Sequence, residues 1–333
     1  MNIAVVGSGY IGLAHIAAIQ GLKDAKVVAV INRSEGANLK GLKAAGEGCR
    51  AYTTLKDALA HEKIDVVDVC TPTDTHEAFA IEAANAGCHV LCEKPVTFEL
   101  DSLERMLAAA EKNGVRFMAA QVARWWPEFM EIKKFVDEGK LGPVRMVYEK
   151  RLAQVPSWST WRENPAVSGG GLYDMNTHDI DFLYTLFGMP ETVYASGWKS
   201  PSGCWDHMVT CLEWASGAKA AVETSISMTG NFPFSIEFRG SGDKGTLCYQ
   251  LTAGHNIKDG EQGFDFNFYP AGSGEVVKLS AEQKDMFAGE IEGFLDAIRT
   301  GAPAPVTPDE SRDVLKIVLA TRKSLEEGAV QKL

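Results

Sequence analysis

A glycine run followed by an acid and a histidine is the segment of this chain best suited to chemistry. Residues 169–178 read Gly-Gly-Gly-Leu-Tyr-Asp-Met-Asn-Thr-His, so a carboxylate and an imidazole stand four positions apart. A helix from Leu172 to Phe187, ended by Gly188, would place Asp174 and His178 on one face, one turn apart. The intrinsic pKa of imidazole suits a general base, and a nearby carboxylate can orient the ring. The pair therefore predicts proton transfer at this helix.

A second chemical signal lies at the start of the chain. An apolar run, residues 2–6, precedes Gly-Ser-Gly-Tyr-Ile-Gly at residues 7–12, and a helical apolar pattern follows. This is GxGxxG between a strand and a helix, where glycines permit a tight turn, close approach of a pyrophosphate and close helix packing. The free N–H groups of the helix N-terminus favour phosphate. The residues predicted to bind a dinucleotide here are Gly7, Gly9, Tyr10, Ile11 and Gly12.

The end of the next predicted strand, residues 27–31, bears on the choice of cofactor. An acidic residue at this place binds the adenosine ribose of NAD, but this chain has Asn32. A neutral amide can bond a ribose hydroxyl without repelling a 2′-phosphate, Arg33 can pair with that phosphate, and Ser34 can donate to it. The segment predicts NAD(P) with a preference for NADP; the alternative is a solvated Arg33 and an Asn32 that only ends the strand.

The elements that position these residues alternate between strand and helix in the first third of the chain. The predicted strands continue at residues 64–70, 89–92 and 115–120, with helices at 55–60 and 75–86. This alternation predicts an α/β fold, a doubly wound parallel sheet over residues 1–120, which binds ligands at the carboxyl ends of its strands. The residues that follow such strand ends, and so should line the cofactor crevice, are Thr71, Pro72, Glu93, Lys94 and Gln121.

Residues 121–333 predict a second, α+β domain with a large, mostly antiparallel open sheet. Consecutive short strands separated by turns carry this prediction. The predicted strands are residues 143–153, 191–198, 206–214, 219–227, 232–239, 246–250 and 276–279, with helices at 127–137 and 281–299 and a last helix that a capping box at Thr307 opens. The helix of Asp174 and His178 should cover one face of the sheet. The other face has no cover within the chain, which predicts a homodimer or homotetramer formed through it.

Composition narrows the class of protein. A net charge of −11 without a basic run argues against nucleic acid and anionic membranes as partners. The chain has no apolar stretch of membrane-spanning length, and Met1 runs directly into the first predicted strand without room for a signal peptide. Seven scattered cysteines without a CxxC pair predict reduced thiols and a cytoplasmic protein. No metal is predicted, because Asp174 and His178 have no third ligand at a suitable spacing.

These motifs together resemble the Gfo/Idh/MocA family, the relatives of glucose–fructose oxidoreductase and inositol dehydrogenase. The resemblance rests on GxGxxG with His15 three residues on, Thr71-Pro72 with His76, Glu93-Lys94-Pro95, the segment Gly-Gly-Gly-x-x-Asp-x-x-x-His, and the tail from Phe294 to Pro308. It covers essentially the whole chain. It implies a nicotinamide-dependent enzyme that acts on sugars, polyols or related hydroxy compounds, often as a dimer or tetramer. Asn32 departs from the aspartate of many NAD-using relatives.

The resemblance also implies roles for individual residues. Lys94 corresponds to the family's catalytic-site lysine, and Asp174 and His178 match its paired acid–base residues. Lys94 can then stabilise a developing alkoxide and hold the nicotinamide ribose, while His178 accepts the proton of an alcohol. His76 is assigned to the cofactor site by the same motif match.

Aromatic and basic side chains complete the predicted substrate site. Tryptophans can stack on the apolar face of a sugar ring, and arginines can bind its hydroxyl groups or a carboxylate. Simple packing is the better interpretation of most tryptophans here, but Trp158 and Trp161 lie in an apparent loop shortly before the glycine run. The predicted substrate-binding residues are therefore Arg124, Trp158, Trp161 and Arg162, together with Lys94, Asp174 and His178.

Two other functions are compatible with the same cofactor turn. A glycoside hydrolase can use bound NAD transiently by oxidising a hydroxyl group, eliminating and reducing again. A non-catalytic protein could sense the cofactor, although such a protein has no need of Lys94, Asp174 and His178 together.

Overall fold

The structure, a computed structural model, describes residues 1–154, 164–254 and 261–333, without the side chains of Glu261 and Gln262. Its helices, in chain order, are α1 (Tyr10–Gln20), α2 (Glu35–Ala45), α3 (Leu55–His61), α4 (His76–Asn85), α5 (Leu100–Lys112), α6 (Pro127–Asp137), α7 (Pro165–Ser168), α8 (Thr177–Phe187), α9 (Met286–Thr300) and α10 (Pro308–Glu327). Its strands are β1 (Asn2–Val6), β2 (Lys26–Ile31), β3 (Arg50–Tyr52), β4 (Val66–Val69), β5 (His89–Glu93), β6 (Phe117–Ala120), β7 (Val144–Gln154), β8 (Thr192–Lys199), β9 (Trp205–Glu213), β10 (Lys219–Met228), β11 (Ser235–Gly242), β12 (Gly245–Ala253), β13 (Glu261–Pro270), β14 (Val277–Lys278) and β15 (Gln331–Lys332).

The chain divides into two compact units that do not follow a single cut in the sequence. The first unit is Met1–Trp125 together with Lys284–Arg312, and the second is Trp126–Gln283 together with Asp313–Leu333. The segment that carries α9 and the first turn of α10 therefore packs with the N-terminal part of the chain.

The first unit contains a six-stranded sheet in the order β3-β2-β1-β4-β5-β6, and every pair in it is parallel. Both faces of such a sheet are covered, so its strands are continuous apolar runs. In β1, residues Ile3 to Val6 are at most 1% exposed. This order is that of the dinucleotide-binding fold, which confirms the predicted doubly wound sheet. Two buried acidic residues interrupt these apolar runs, Asp68 in β4 at 1% exposure and Glu93 at the end of β5 at 5%.

The second unit contains a nine-stranded sheet in the order β14-β13-β12-β11-β7-β10-β9-β8-β15. Its described pairs are antiparallel except β7 with β10, which run parallel. The strands alternate between a buried and a solvent-facing side, as in β9, where Met208 and Leu212 are buried and Val209 is exposed. The predicted mostly antiparallel sheet is thus confirmed, although it contains β13, which the sequence interpretation did not assign.

The helix predicted from Leu172 to Phe187 is two different elements. Leu172–Asn176 forms a π-helical turn, and α8 follows it directly. The helix predicted from residue 281 begins later, at Met286, because Asp285 caps it by accepting a hydrogen bond from the N–H of Ala288 at 2.9 Å. Among the described residues, no helix is both long and apolar enough to cross a membrane.

Candidate active site

In the glycine-rich turn between β1 and α1, each glycine is needed or favoured for a different structural reason. Gly7 has a φ of +98°, and a Cβ there would lie 2.5 Å from the carbonyl oxygen of Cys70. A Cβ at Gly12 would lie 1.9 Å from the carbonyl oxygen of Gly7, so both positions need glycine for close packing. A Cβ at Gly9, the N-cap of α1, would meet nothing within 4 Å. The turn therefore leaves open space beside Gly9, where a pyrophosphate can approach the helix N-terminus.

Asn32, at the end of β2, binds this turn with its side-chain amide. Its Oδ1 accepts from the N–H of Ser8 at 2.7 Å, and its Nδ2 donates to Ser8 Oγ at 2.9 Å and to Asn38 Oδ1 at 3.0 Å. Asn38 in turn donates to the carbonyl oxygens of Asn32 and Tyr52 at 3.3 and 3.2 Å. Both N–H groups of Asn32 are thus occupied within the protein, and its amide braces the glycine-rich turn.

The two residues after Asn32 are exposed and differ in their local bonds. Ser34 caps α2, since its Oγ accepts from the N–H of Ala37 at 3.3 Å. Arg33 has no hydrogen bond or ion pair to any residue that the structure describes. Its guanidinium can therefore reach a bound phosphate without breaking a contact of the fold.

A buried histidine ties together two loops at the carboxyl ends of β4 and β5. The ring nitrogens of His76 lie 2.8 Å from the carbonyl oxygen of Thr71 and 3.2 Å from that of Val96. Burial lowers the pKa of His76, which favours the neutral ring. Thr71 also accepts a hydrogen bond from the hydroxyl of Thr75 at 2.8 Å, and Pro72 precedes the 3₁₀ turn Thr73–Thr75. His76 and Thr71 therefore order the predicted crevice.

Glu93, Lys94 and Gln121 stand at the ends of neighbouring strands. Glu93 is 5% exposed, and its Oε2 accepts from the backbone N–H of Lys94 at 3.0 Å. The Lys94–Pro95 peptide bond is cis. Gln121, directly after β6, is 4% exposed, and its Oε1 has no hydrogen-bond partner among the described residues. A buried, unsatisfied amide oxygen is costly unless a ligand or water bonds it, so Gln121 fits a cofactor contact.

Arg124 pairs with a carboxylate of its own unit. Its Nη1 donates to Glu310 Oε1 at 3.0 Å, while Glu310 Oε2 accepts from the N–H of Thr307 in the capping box at 2.8 Å. Contact with a substrate, as predicted from the sequence, has to compete with this ion pair. The predicted substrate residues Trp158, Trp161 and Arg162 lie outside the described residues.

In the second unit, the glycine run brings the π-helical turn against the start of β9. A Cβ at Gly170, where φ is +75°, would lie 2.6 Å from Cys204 Cβ and 2.8 Å from Asp206 Oδ1. The N–H of Gly171 donates to the same Asp206 Oδ1 at 2.9 Å. The bulk of any other side chain at position 170 would push the following turn away from the strand.

Asp174 and His178 are both half-buried and lie on either side of the junction between the π turn and α8. The prediction of one regular α-helix through both residues is therefore wrong, because a π turn precedes α8. Their predicted place on one helix face, about one turn apart, stays a prediction. The predicted catalytic roles of the two residues stay predictions. Asn176, between them in sequence, is fully buried and donates to Thr224 Oγ1 at 2.8 Å, which anchors the junction to β10.

A buried ion pair joins α8 to β7, and it was not predicted from the sequence. Arg151 of β7 donates to Asp179 of α8, with Nε 2.8 Å from Oδ1. Glu149, two residues earlier on the same strand face, is 1% exposed, and neither carboxyl oxygen has a hydrogen-bond partner among the described residues. Burial and the charge of Asp179 raise the pKa of Glu149 well above its ordinary value. The sequence signal was a charged pair at strand spacing, Glu-x-Arg.

A second polar cluster missed by sequence reasoning lies within the first unit, around His15. Its N, O and S atoms come within 4.8 Å of one another in two sets, His15–Asp68–Cys70 and His15–Glu93–Glu290, a spacing that also occurs among metal ligands. Both ring nitrogens of His15 face carboxylate oxygens, at 2.9 Å for Asp68 and 3.1 Å for Glu93, as in an ion-paired imidazolium. An aspartate inside the apolar run of β4 was the available signal.

Two family models match the chain, and together they cover residues 1–121 and 129–248. Residues 1–121 match a family model described as "Oxidoreductase family, NAD-binding Rossmann fold". Residues 129–248 match one described as "GFO/IDH/MocA C-terminal domain".

Individual proteins of similar sequence and structure extend over the whole chain. An inositol 2-dehydrogenase from Rhizobium meliloti (strain 1021) is 29% identical, over 98% of this chain and 97% of its own length. A D-xylose 1-dehydrogenase (NADP(+)) from Haloferax volcanii is 28% identical over 85% of each chain. The crystal structure of an aldose-aldose oxidoreductase from Caulobacter crescentus, complexed with glycerol, superposes with a TM-score of 0.87 at 25% identity, over 100% of this chain and 99% of that chain. These relatives give no support to the glycoside hydrolase alternative.

Proposed function

Because the chain belongs to the Gfo/Idh/MocA family of NAD(P)-dependent oxidoreductases, we propose that it transfers a hydride between nicotinamide and a secondary hydroxyl or carbonyl group of a sugar or polyol. The observation that carries the proposal is the glycine-rich turn, closed by packing at Gly7 and Gly12 and open beside Gly9. That turn suits the pyrophosphate of a dinucleotide and little else in a strand-turn-helix context. The polyol or sugar follows from the names of the relatives.

The preferred cofactor in this proposal is NADP. Arg33 is exposed beyond the end of β2 and has no hydrogen bond or ion pair to a described residue, so it can pair with a 2′-phosphate. Asn32 carries no charge that would repel the phosphate, and its amide is occupied by the glycine-rich turn. One relative named above uses NADP by its printed name.

The chemistry of the proposal divides between cofactor and chain. When bound, the nicotinamide ring accepts or supplies the hydride. Lys94 stabilises the developing alkoxide with its ammonium group, and His178 accepts the hydroxyl proton in oxidation and returns it in reduction. Asp174 orients His178 or a neighbouring substrate hydroxyl group. Gln121 supplies an acceptor for the cofactor.

The test is absorbance at the reduced-nicotinamide band, with NAD and NADP separately, across inositols, pentoses and hexoses. We expect turnover with at least one polyol or sugar, a lower KM for NADP than for NAD, and a loss of about 10²-fold in kcat for Lys94→Ala. Lys40→Ala, an exposed lysine on α2, is the matched control and should keep wild-type turnover. Tight cofactor binding with no turnover on any of these compounds would instead support the non-catalytic sensing protein.

A further inference from the structure

His15 is a fully buried histidine held between two carboxylates. It lies on α1, three residues after Gly12, and its side chain is 0% exposed. Its Nδ1 is 2.9 Å from Asp68 Oδ2 in β4, and its Nε2 is 3.1 Å from Glu93 Oε1 in β5. The ring therefore spans two neighbouring strands of the parallel sheet and connects both to the helix of the glycine-rich turn.

Glu93 also contacts Lys94, the lysine of the proposed mechanism. One carboxyl oxygen of Glu93 faces His15, and the other accepts from the backbone N–H of Lys94 at 3.0 Å. A single buried carboxylate thus joins the imidazole to the first residue beyond the strand.

The other side of the cluster reaches the glycine-rich turn. Cys70 Sγ lies 3.3 Å from Asp68 Oδ1 and 3.6 Å from His15 Nδ1. The carbonyl oxygen of the same Cys70 is the atom that a Cβ at Gly7 would strike, at 2.5 Å. The cluster therefore touches both the phosphate-binding turn and the Lys94 backbone.

The charges around His15 favour its protonated form. It faces the carboxyl groups of Asp68 and Glu93, the thiol of Cys70 and, from α9, Glu290 Oε2 at 4.0 Å. Burial by itself lowers the pKa of His15, but Asp68 and the other neighbours outweigh it and raise the pKa well above its ordinary value. His15 Nδ1 is hydrogen-bonded to Asp68 Oδ2, whereas the approach of Nε2 to Glu93 Oε1 at 3.1 Å is an ion-pair contact without hydrogen-bond geometry.

We propose that His15 is a positioning residue that holds the Glu93 carboxylate and, through it, sets the place of Lys94 relative to the glycine-rich turn. The proposal rests on the role of Lys94 in the proposed function. A rigid ring that is hydrogen-bonded to Asp68 on one side and ion-paired with Glu93 on the other fixes this distance, whereas a flexible side chain would let the turn after β5 shift. Misplacement of a reacting group by about 1 Å can cost about 10²-fold in rate.

The activity test compares His15→Gln with His61→Gln, an exposed histidine at the end of α3. We expect His15→Gln to fold, to bind NADP within a few-fold of wild type, and to lose about 10- to 10²-fold in kcat. In a Lys94→Ala background the same substitution should cost almost nothing further, because the group that it positions is absent. A full, additive loss in that background would show a merely structural role and overturn the proposal.

A second readout does not need turnover, so it separates this proposal from the proposed function. Acetic anhydride labels lysine amines, and mass spectrometry measures the labelling rate of Lys94 relative to that of Lys40. This ratio reports the accessibility and reactivity of the Lys94 amine. We expect His15→Gln to change that ratio several-fold and His61→Gln to leave it unchanged. An unchanged ratio in His15→Gln would overturn the positioning role even if the protein oxidises polyols, and a changed ratio supports it even if it does not.

Two further outcomes of the experiment with His15→Gln are a variant that does not fold and the loss of a bound metal. If His15→Gln does not fold, Glu93→Gln provides the same comparison, because it removes the charge between His15 and Lys94 and keeps a planar group of equal size. If the purified protein contains stoichiometric metal that His15→Gln loses, the cluster is a metal site and the ion-pair account is overturned.

Discussion

Three adjacent residues at the end of β2 differ in their roles: two are bonded within the fold, and the third is available for the cofactor in our proposal. The amide of Asn32 is bonded to Ser8 and Asn38, Ser34 caps α2, and Arg33 is exposed without a described partner. Of the three, Arg33 can therefore be replaced with the least effect on the fold.

We expect Arg33→Ala to weaken NADP binding by about tenfold or more and to change NAD binding little, because only NADP carries the 2′-phosphate. Isothermal titration with each cofactor measures the two dissociation constants. Lys40→Ala, another exposed cation of the first unit, is the control for a general loss of positive charge. Equal weakening of both cofactors by Arg33→Ala would show that this side chain does not read the phosphate.

The spacing after Gly12 predicted which residues stand at the end of β2, but not which way their side chains point. The sequence indicated that the Asn32 amide can bond a ribose hydroxyl, which stays a prediction; the structure adds its bonds to Ser8 and Asn38. Those contacts join residues 24 and 6 positions away, so no local pattern reveals them. The same holds for His15 and Asp68, whose pairing spans 53 positions.

Among the elements, the π turn and α8 depend on close contact with β9 and on a polar layer beneath them. A helical pattern and a glycine run were visible in the sequence. The reason why glycine is needed at position 170 could not be seen in the sequence. The atoms that exclude a side chain there belong to Cys204 and Asp206, more than thirty positions later.

Gly170 and Gly188 form a matched pair for testing this contact. Both have positive φ, at +75° and +72°, but a Cβ at Gly188 would meet nothing within 4 Å. Gly188 also has a ψ of −154°, a conformation that is essentially restricted to glycine, so we expect Gly188→Ala to cost about 1–3 kcal/mol from backbone strain alone. Gly170→Ala should cost a further 1–3 kcal/mol or so from overpacking and should lower kcat by displacing the turn of Asp174. Urea unfolding and steady-state kinetics measure both; equal stability losses in the two variants would contradict the close contact.

The buried Glu149 beneath α8 makes a prediction about pH. Its pKa is raised in the folded protein by burial and by Asp179, so the folded state binds the proton more tightly than the unfolded state. Stability must then fall as pH rises above the unfolded pKa and through the folded one. Glu149→Gln removes this titration, and its free energy of unfolding relative to wild type should increase from mildly acidic to mildly alkaline pH. A difference that stays constant with pH would contradict a raised pKa.

At the scale of the whole molecule, one face of the nine-stranded sheet in the second unit has no cover among the residues that the structure describes. Exposed apolar side chains lie on its outer side, including Tyr194 at 40%, Trp198 at 52% and Val209 at 42% exposure. Patches of this kind usually mark an interface. We propose that two copies of the chain associate through this face.

We expect the wild-type protein to be a dimer or tetramer by light scattering coupled to gel filtration, and Val209→Arg to be smaller. The charge would be buried without a partner at the interface, which is strongly unfavourable. Met130→Arg changes an equally exposed apolar side chain on α6, away from the sheet, and should keep the wild-type mass. A Val209→Arg variant of unchanged mass would place the interface elsewhere.

The order of elements was largely predictable, since strand-helix alternation and then consecutive strands define the two sheets. Two long-range features were not predicted. One is that α9 belongs to the first unit, and the other is the pairing of β13 with β12. The alternating Phe264, Phe266 and Phe268 of β13 did indicate a strand. Chain order alone does not say which sheet a late helix covers, because its apolar stripe fits either one.

Direct hydride transfer from a polyol or sugar carbon to NADP can be followed by isotope labelling. A substrate found in the absorbance screen is prepared with deuterium on the carbon that bears the reacting hydroxyl group, and the reduced cofactor is analysed by mass spectrometry. We expect one deuterium on the nicotinamide ring of every reduced cofactor formed. Reduced cofactor that carries only solvent-derived hydrogen, or product formed without net cofactor reduction, would contradict it.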